Sequence, residues 1–220
     1  MDFLKHSELK GLHASFSPSK PAWVNYDNDK SFEMYVKSWI PTVGTVAHAY
    51  AENCILNNIR LSKGDKKSFK IYLLDNATQK IPSIIVDSLD LDFIFLNLIP
   101  YVNDAIGFNM KPEVILKYSD LFFGTADTIS FINNFLHIHD LKTGTKPVHI
   151  EQLMIYAALF CLEYKYKPNE LKGIELRIYQ SSEVSVFTPS PDDILHIMDK
   201  IITMNEYMTK RLGEWYLWVI

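Results

Sequence analysis

The chain contains only two cysteines in 220 residues. Two thiolates cannot supply the four ligands of an iron–sulfur cluster, so no such cluster is expected within one subunit. Cys54 and Cys161 form no spaced motif. Both lie in predicted helices among apolar neighbours, which makes buried free thiols the expected state. A long hydrophobic run is also missing: the most apolar stretch, Phe93–Ile99, is too short to cross a bilayer. The opening residues Met1 to His6 are mixed and quickly polar, unlike a secretory signal. These absences point to a cytoplasmic protein with no membrane partner. Positive charge is not in excess either, with a formal net charge of −4. That argues against a broad basic surface for nucleic acid, but not against a local one. Lys63, Lys66, Lys67 and Lys70 form one local run, and Lys165, Lys167 and Lys172 another. Each can touch phosphates or be ordinary solvated surface.

Hydrophobic residues make up 48% of the chain and aromatic residues 13%, enough to build the core of one domain over residues 1–220. No internal repeat or low-complexity segment divides it. The stretch from Phe122 to Tyr156 organises the rest. Apolar and polar residues alternate through Phe123–Phe131, the pattern of a half-buried strand. A turn at Asn133-Asn134 leads into a second strand, Phe135–Leu141. Residues two apart on a strand share a face, so Asp140 and Lys142 project together with the Leu141 carbonyl between them. The hairpin carries Asp127 towards Asp140. After Gly144 and Pro147 a helix begins, with Gln152 and Tyr156 four apart on one face.

Two carboxylates and a carbonyl form a hard oxygen site suited to Mg²⁺ or Mn²⁺. A lysine beside them can orient a water or stabilise charge on a phosphate, and the set suits metal-assisted hydrolysis of a phosphodiester. A surface hairpin with a simple Asp140–Lys142 salt bridge is the plainer alternative. The segments Gly124-Thr125-Ala126-Asp127, Asp140-Leu141-Lys142-Thr143-Gly144 and Gln152-Leu153-Met154-Ile155-Tyr156 resemble, in order, the GxxD, DxK and QxxxY motifs of the PD-(D/E)XK nucleases, in their RecB-type exonuclease branch. Further upstream, Gly44-Thr45-Val46-Ala47-His48-Ala49-Tyr50-Ala51-Glu52 resembles that branch's GTxxHxxxE motif, in which the histidine is a metal ligand. Glu52 shares the His48 face; it either orients His48 or is solvated. The segment His13 to Asn28, with Ser15, Ser17, Pro18, Ser19 and Trp23, resembles the "SPS…W" segment of phage-type members, where a serine caps a short helix and the tryptophan packs under the active-site side. The cysteine that often follows the tryptophan is absent, its region reading Val24-Asn25-Tyr26.

Around these motifs the elements are less sharply marked. Thr42 or Thr45 is placed to cap a helix running to about Leu61. Phe69–Leu73 alternates like a strand, with a turn at Asp75–Thr78. Ser83 to about Ile106 reads as mostly helical, kinked or divided at Pro100. Lys111–Lys117 reads as the first strand of the catalytic sheet. Glu113 there is either part of a second-metal site or an exposed strand-end charge. Gly173–Tyr179 is a further strand, and a last helix starts near Pro191 and runs to about Leu212. The aromatic tail Glu214–Ile220 packs on its own domain or forms a subunit contact.

The resemblance implies an α/β fold with a restriction-endonuclease-like core, a mixed sheet of four or five strands flanked by helices. It implies a Mg²⁺- or Mn²⁺-dependent deoxyribonuclease, an exonuclease acting on DNA in phage recombination or genome processing. A recombinase or single-strand annealing protein is the matching protein partner. His48, Asp127, Asp140 and the Leu141 carbonyl would hold the ion, with Glu113 as a further candidate. Asp127, Asp140 and Lys142 would be catalytic, and Gln152 and Tyr156 would line the DNA. Two other readings share the residues: a structure- or site-specific endonuclease, and a catalytically decayed DNA-binding or regulatory protein.

Overall fold

The computed structural model describes residues 4–11, 14–76, 81–144 and 149–216. His13, the second half of the Asp75–Thr78 turn, Pro147 and Leu217–Ile220 lie outside them. A five-stranded sheet in the order β1-β2-β3-β4-β5 forms the centre: β1 Lys111–Ser119, β2 Phe122–Ile132, β3 Phe135–Leu141, β4 Gly173–Gln180 and β5 Glu183–Phe187. All neighbours are antiparallel except β3 and β4, which are parallel. The crossover between those two carries helix α6, Glu151–Tyr164, as a parallel pair requires. The fold is therefore α/β with a mixed sheet, as the sequence implies.

The turn between β2 and β3 fixes the register that matters. Asn133 and Asn134 both have positive φ, 53° and 66°. That is the backbone of a two-residue hairpin loop, and asparagine tolerates it well. Ile132 then pairs with Phe135 and Thr128 with His139, so Asp127 and Asp140 come to corresponding positions on neighbouring strands.

Helices cover both faces of the sheet. On one side lie α2 (Ile40–Leu56), α3 (Lys66–Asn76), α4 (Ser83–Ser88) and α5 (Leu91–Gly107), preceded by α1 (Asn28–Ser38). Their core joins Val43, Ala47, Phe69, Leu98 and Val102 to Leu141 and Tyr179 of the sheet. On the other side, α6 and α7 (Pro191–Tyr216) bury Leu153, Ala157 and Ile194 against Leu116, Leu136, Ile138 and Leu176. Each fully buried large aliphatic side chain stabilises by about 1.5–3 kcal/mol. An exposed ion pair contributes about 0–1 kcal/mol, so apolar burial holds these layers in place.

Several expectations need correction. Phe69–Leu73 is helical, within α3, because Phe69 and Leu73, four apart, are both fully buried on one helix face. A Ser62–Asp65 capping box opens this segment. Pro100 does not divide α5, which runs on from Leu91 to Gly107; the division falls before Leu91, where the Asp90 carboxylate accepts from the Phe93 N–H at 3.1 Å. Neither Thr42 nor Thr45 caps α2. The helix starts earlier, at Ile40, with Pro41 in its first turn, and ends at Leu56. Thr45 Oγ1 instead donates to the Pro41 carbonyl inside the helix. Neither Ser17 nor Ser19 caps the short 3₁₀ turn Pro21–Asn25. The Trp23 indole donates to the Ser17 carbonyl and packs on Phe16. The last helix extends four residues past Leu212. Cys54 and Cys161 are buried free thiols. Lys66 and Lys70 of the first basic run are paired with Asp92 and Asp87.

Candidate metal centre

The centre forms where β1, β2 and β3 meet α2 and α6. Asp127, on β2, accepts a hydrogen bond at Oδ2 from the Leu141 N–H at 2.9 Å. The Leu141 peptide is thus clamped to the carboxylate on the neighbouring strand. His48, on the buried side of α2, brings its Nδ1 to 3.5 Å from the same oxygen. Glu113 completes a group: His48, Glu113 and Asp127 each offer one ligand atom within 4.8 Å of the others.

Glu113 reaches this position through unusual backbone. The β1–β2 ladder pairs Pro112 with Thr128 and Val114 with Ala126, and Glu113 between them has φ 52°. A non-glycine residue with positive φ inside a strand costs on the order of 1–3 kcal/mol, and such strain concentrates at functional sites. Desolvation first, then the charges of Asp127 and Glu52, raises the Glu113 carboxyl. Glu52 therefore acts on the site as a nearby negative charge. Among the described residues it makes no hydrogen bond to His48.

Asp140 stands one step from that group and is 2% exposed. Lys142 Nζ donates to its Oδ1 at 3.0 Å and lies 2.8 Å from Oδ2. The ammonium thus faces both oxygens of the carboxylate, although its approach to Oδ2 makes no aligned hydrogen bond. Burial first and the Asp127 charge second push the Asp140 carboxyl up to about 6, against the opposing pull of Lys142. Lys142 also donates to Gln152 Oε1 at 3.2 Å, and Gln152 Nε2 donates to Tyr156 Oη at 3.4 Å. The QxxxY helix thus aims the lysine. The structure brings the sequence-predicted side chains together: His48, Glu113 and Asp127 on one side, and Asp140, Lys142, Gln152 and Tyr156 in a hydrogen-bonded line on the other; of Leu141 it is the N–H, bonded to Asp127, that is placed at the centre.

These residues fit a divalent cation. Three carboxylates crowd together with one lysine to balance them, and two of those carboxyls are raised, by burial first and by neighbouring charge second. Oxygen ligands with one imidazole suit Mg²⁺ or Mn²⁺ better than a thiol-preferring metal.

Three supports were not visible in the sequence. Buried Asn97 of α5 donates to the Lys142 carbonyl at 3.3 Å and accepts from the Ser182 N–H at 2.6 Å. Gly44 lets α2 approach the segment that follows β3, since a Cβ there would stand 2.9 Å from Thr143 Oγ1. Gly124 makes room for Tyr156, whose ring would lie 3.0 Å from an added Cβ. The two glycines stand in quoted motifs, but their contacts depend on the tertiary approach of α2 and α6.

A mixed α/β sheet carrying a carboxylate–histidine–lysine centre at the end of its central hairpin defines the class of protein. Residues 35–215 match the family model described as Protein of unknown function (DUF2800), and the chain belongs to that family. No curated protein matches it. Among the described residues, no helix is long and apolar enough to cross a membrane.

Proposed function

We propose that this protein is a metal-dependent DNA exonuclease that acts inside the cell. The observation that carries the reading is the line Asp140–Lys142–Gln152–Tyr156 set beside the His48–Glu113–Asp127 group. A phosphodiester needs both a cation site and a fixed positive charge beside it, and the two stand next to each other. His48, Asp127 and Asp140 would hold the ion, with Glu113 as a further ligand. Bound there, Mg²⁺ or Mn²⁺ would supply Lewis acidity towards a phosphoryl oxygen and acidify a water. Lys142 places its ammonium where charge develops on the phosphate, and Gln152 restricts its rotamers so that little reorganisation is needed. The Leu141 N–H fixes the Asp127 carboxylate. Tyr156, packed on Gly124, offers a ring face on which a base of the incoming strand can stack. The net charge of −4 disfavours a duplex gripped along its length, so a strand entering from a free end fits better. A recombinase or strand-annealing protein is the partner this reading suggests.

The test is a time course on linear and covalently closed circular DNA of one sequence, with Mg²⁺, Mn²⁺ or EDTA. The linear form should disappear with either ion, survive in EDTA, and the closed circle should persist. Early relaxed circles that Asp140→Asn abolishes would favour an endonuclease at the same site. No cleavage of any DNA with either ion would reject the enzyme reading in favour of a binding protein.

A further inference from the structure

A second polar cluster lies on the same strand, beginning at the residue next to Asp140. His137 and His139 alternate with Asp140 along β3, so they point to the opposite face. The parallel register places His137 beside Glu175 and His139 beside Arg177 of β4. His137, His139 and Glu175 each offer a ligand atom within 4.8 Å of the other two.

The hydrogen bonds around this cluster prepare its free atoms. Tyr179 Oη donates to Asp104 Oδ2 at 2.7 Å. Its hydroxyl oxygen is then the acceptor for His139 Nδ1, 3.2 Å away. That relay sets the Nδ1–H tautomer and leaves the lone pair of His139 on Nε2. His139 is fully buried, and its Nε2 has no partner. His137 Nδ1 is likewise buried without a hydrogen bond, and it lies 3.4 Å from Glu175 Oε1 at an angle that makes none. In a tetrahedral site with metal–ligand bonds of about 2.0–2.1 Å, neighbouring ligand atoms stand about 3.4 Å apart. Arg177 fixes Glu175 by donating to the same Oε1 at 2.8 Å, which leaves Oε2 as its second oxygen, and is itself held by Asp104 at 2.9 Å. A cleft of about 400 Å³, lined by His137, Phe108, Asn133 and Lys172, offers an entry path.

We infer that His137 Nδ1, His139 Nε2 and a Glu175 carboxylate oxygen form a second cation site, for a borderline transition ion of the Zn²⁺ class. Two imidazoles and one carboxylate make the donor set that Zn²⁺ accepts with a fourth position open. Asp104 and Tyr179 orient His139 as outer partners commonly orient a metal-bound imidazole. The donor chemistry separates the two centres, because the oxygen-rich group favours Mg²⁺ or Mn²⁺ and the imidazole pair favours Zn²⁺ or Co²⁺. An ion here would tie β3 to β4 and so brace the strand that carries Asp140. The site stands whether or not the nuclease reading does.

Full-length protein stripped of metal is titrated with Co²⁺, in the wild type and on an Asp127→Asn background that disables the acidic centre. Co²⁺ with the intense visible absorption of a low-coordinate imidazole site should bind in both, as the only ion in Asp127→Asn, and Zn²⁺ should displace it. His137→Gln and Glu175→Gln should each weaken that binding more than about tenfold. Glu175→Gln keeps the inference decidable if His137→Gln fails to fold. Unchanged Co²⁺ affinity in Glu175→Gln would overturn the inference. So would loss of the absorbing species in Asp127→Asn, because the ion would then belong to the acidic centre.

Discussion

The two faces of β3 carry two polar centres of opposite design. On one face Asp140 meets Lys142 and Asp127 in an acidic, cation-hungry group next to α6. On the other, His137 and His139 lie under Phe108 and Tyr179, and burial holds His139 down at about 3, as a neutral imidazole. The difference shows how a strand's period of two lets adjacent residues serve unrelated chemistry. It also shows that charge and softness of the donors, more than proximity, separate one site from another.

The largest expected effect that sharpens this contrast is catalytic. Asp127→Asn and Asp140→Asn should each lower DNA cleavage more than about a thousandfold, beyond the 10²–10³ typical of losing a single stabilising donor. His137→Gln should leave the Mn²⁺ affinity of the acidic centre unchanged. Calorimetry with Mn²⁺ checks this, and a His137→Gln chain that no longer binds Mn²⁺ would merge the two sites into one.

Next comes Tyr179→Phe, which removes the hydroxyl between Asp104 and His139. Co²⁺ binding at the histidine face should weaken by roughly 10–100-fold, with Mn²⁺ binding at the acidic face unaltered. Equal losses at both would show that the variant acts by loosening the sheet.

A smaller effect comes from pH. In EDTA, the Asp140 carboxyl is raised above its ordinary value. A carboxyl raised by the fold contributes stability while protonated. That contribution is full below the unfolded value and is lost as pH rises through about 6. The melting temperature of the metal-free wild type should therefore fall between about pH 4 and pH 6.5 relative to Asp140→Asn, which lacks the titrating group. Parallel curves for the two proteins would remove Asp140 from the account.

The smallest effect concerns strain. Glu113→Gly frees a residue at φ 52° and should stabilise the metal-free protein by about 0.5–1 kcal/mol, after the entropy cost of glycine. It should also weaken Mn²⁺ binding, so stability and function move in opposite directions. A melt in which Glu113→Gly unfolds earlier than the wild type would remove the strain argument.

The two faces also differ in how far the sequence reveals them. Asp140 and Lys142 are legible because their spacing puts them on one face. Asp127 follows because the Asn133-Asn134 turn fixes the hairpin register. The helix spacing of Gln152 and Tyr156 does the rest. The histidine face depends on Glu175 and Tyr179, brought alongside by the parallel pairing of β3 with β4, and on Asp104 from α5. No local pattern reports those long-range partners. Strand β5 escapes for another reason: its turn is Ser181-Ser182, both at positive φ, where asparagine or glycine would have signalled a hairpin. The helical α3 is hidden because Phe69–Leu73 is short enough to satisfy both periods.

The most direct test of the central claim pairs binding with cleavage in Lys142→Met. Calorimetry with Mn²⁺ and degradation of linear DNA are measured on the same preparation, beside Asp140→Asn. The account predicts that Lys142→Met binds Mn²⁺ about as well as the wild type, whereas its cleavage falls by roughly 10²–10³-fold; Asp140→Asn should lose both. If Lys142→Met loses the ion as completely as Asp140→Asn does, or cleaves DNA at the wild-type rate, the division between cation ligands and the charge aimed at the phosphate is contradicted.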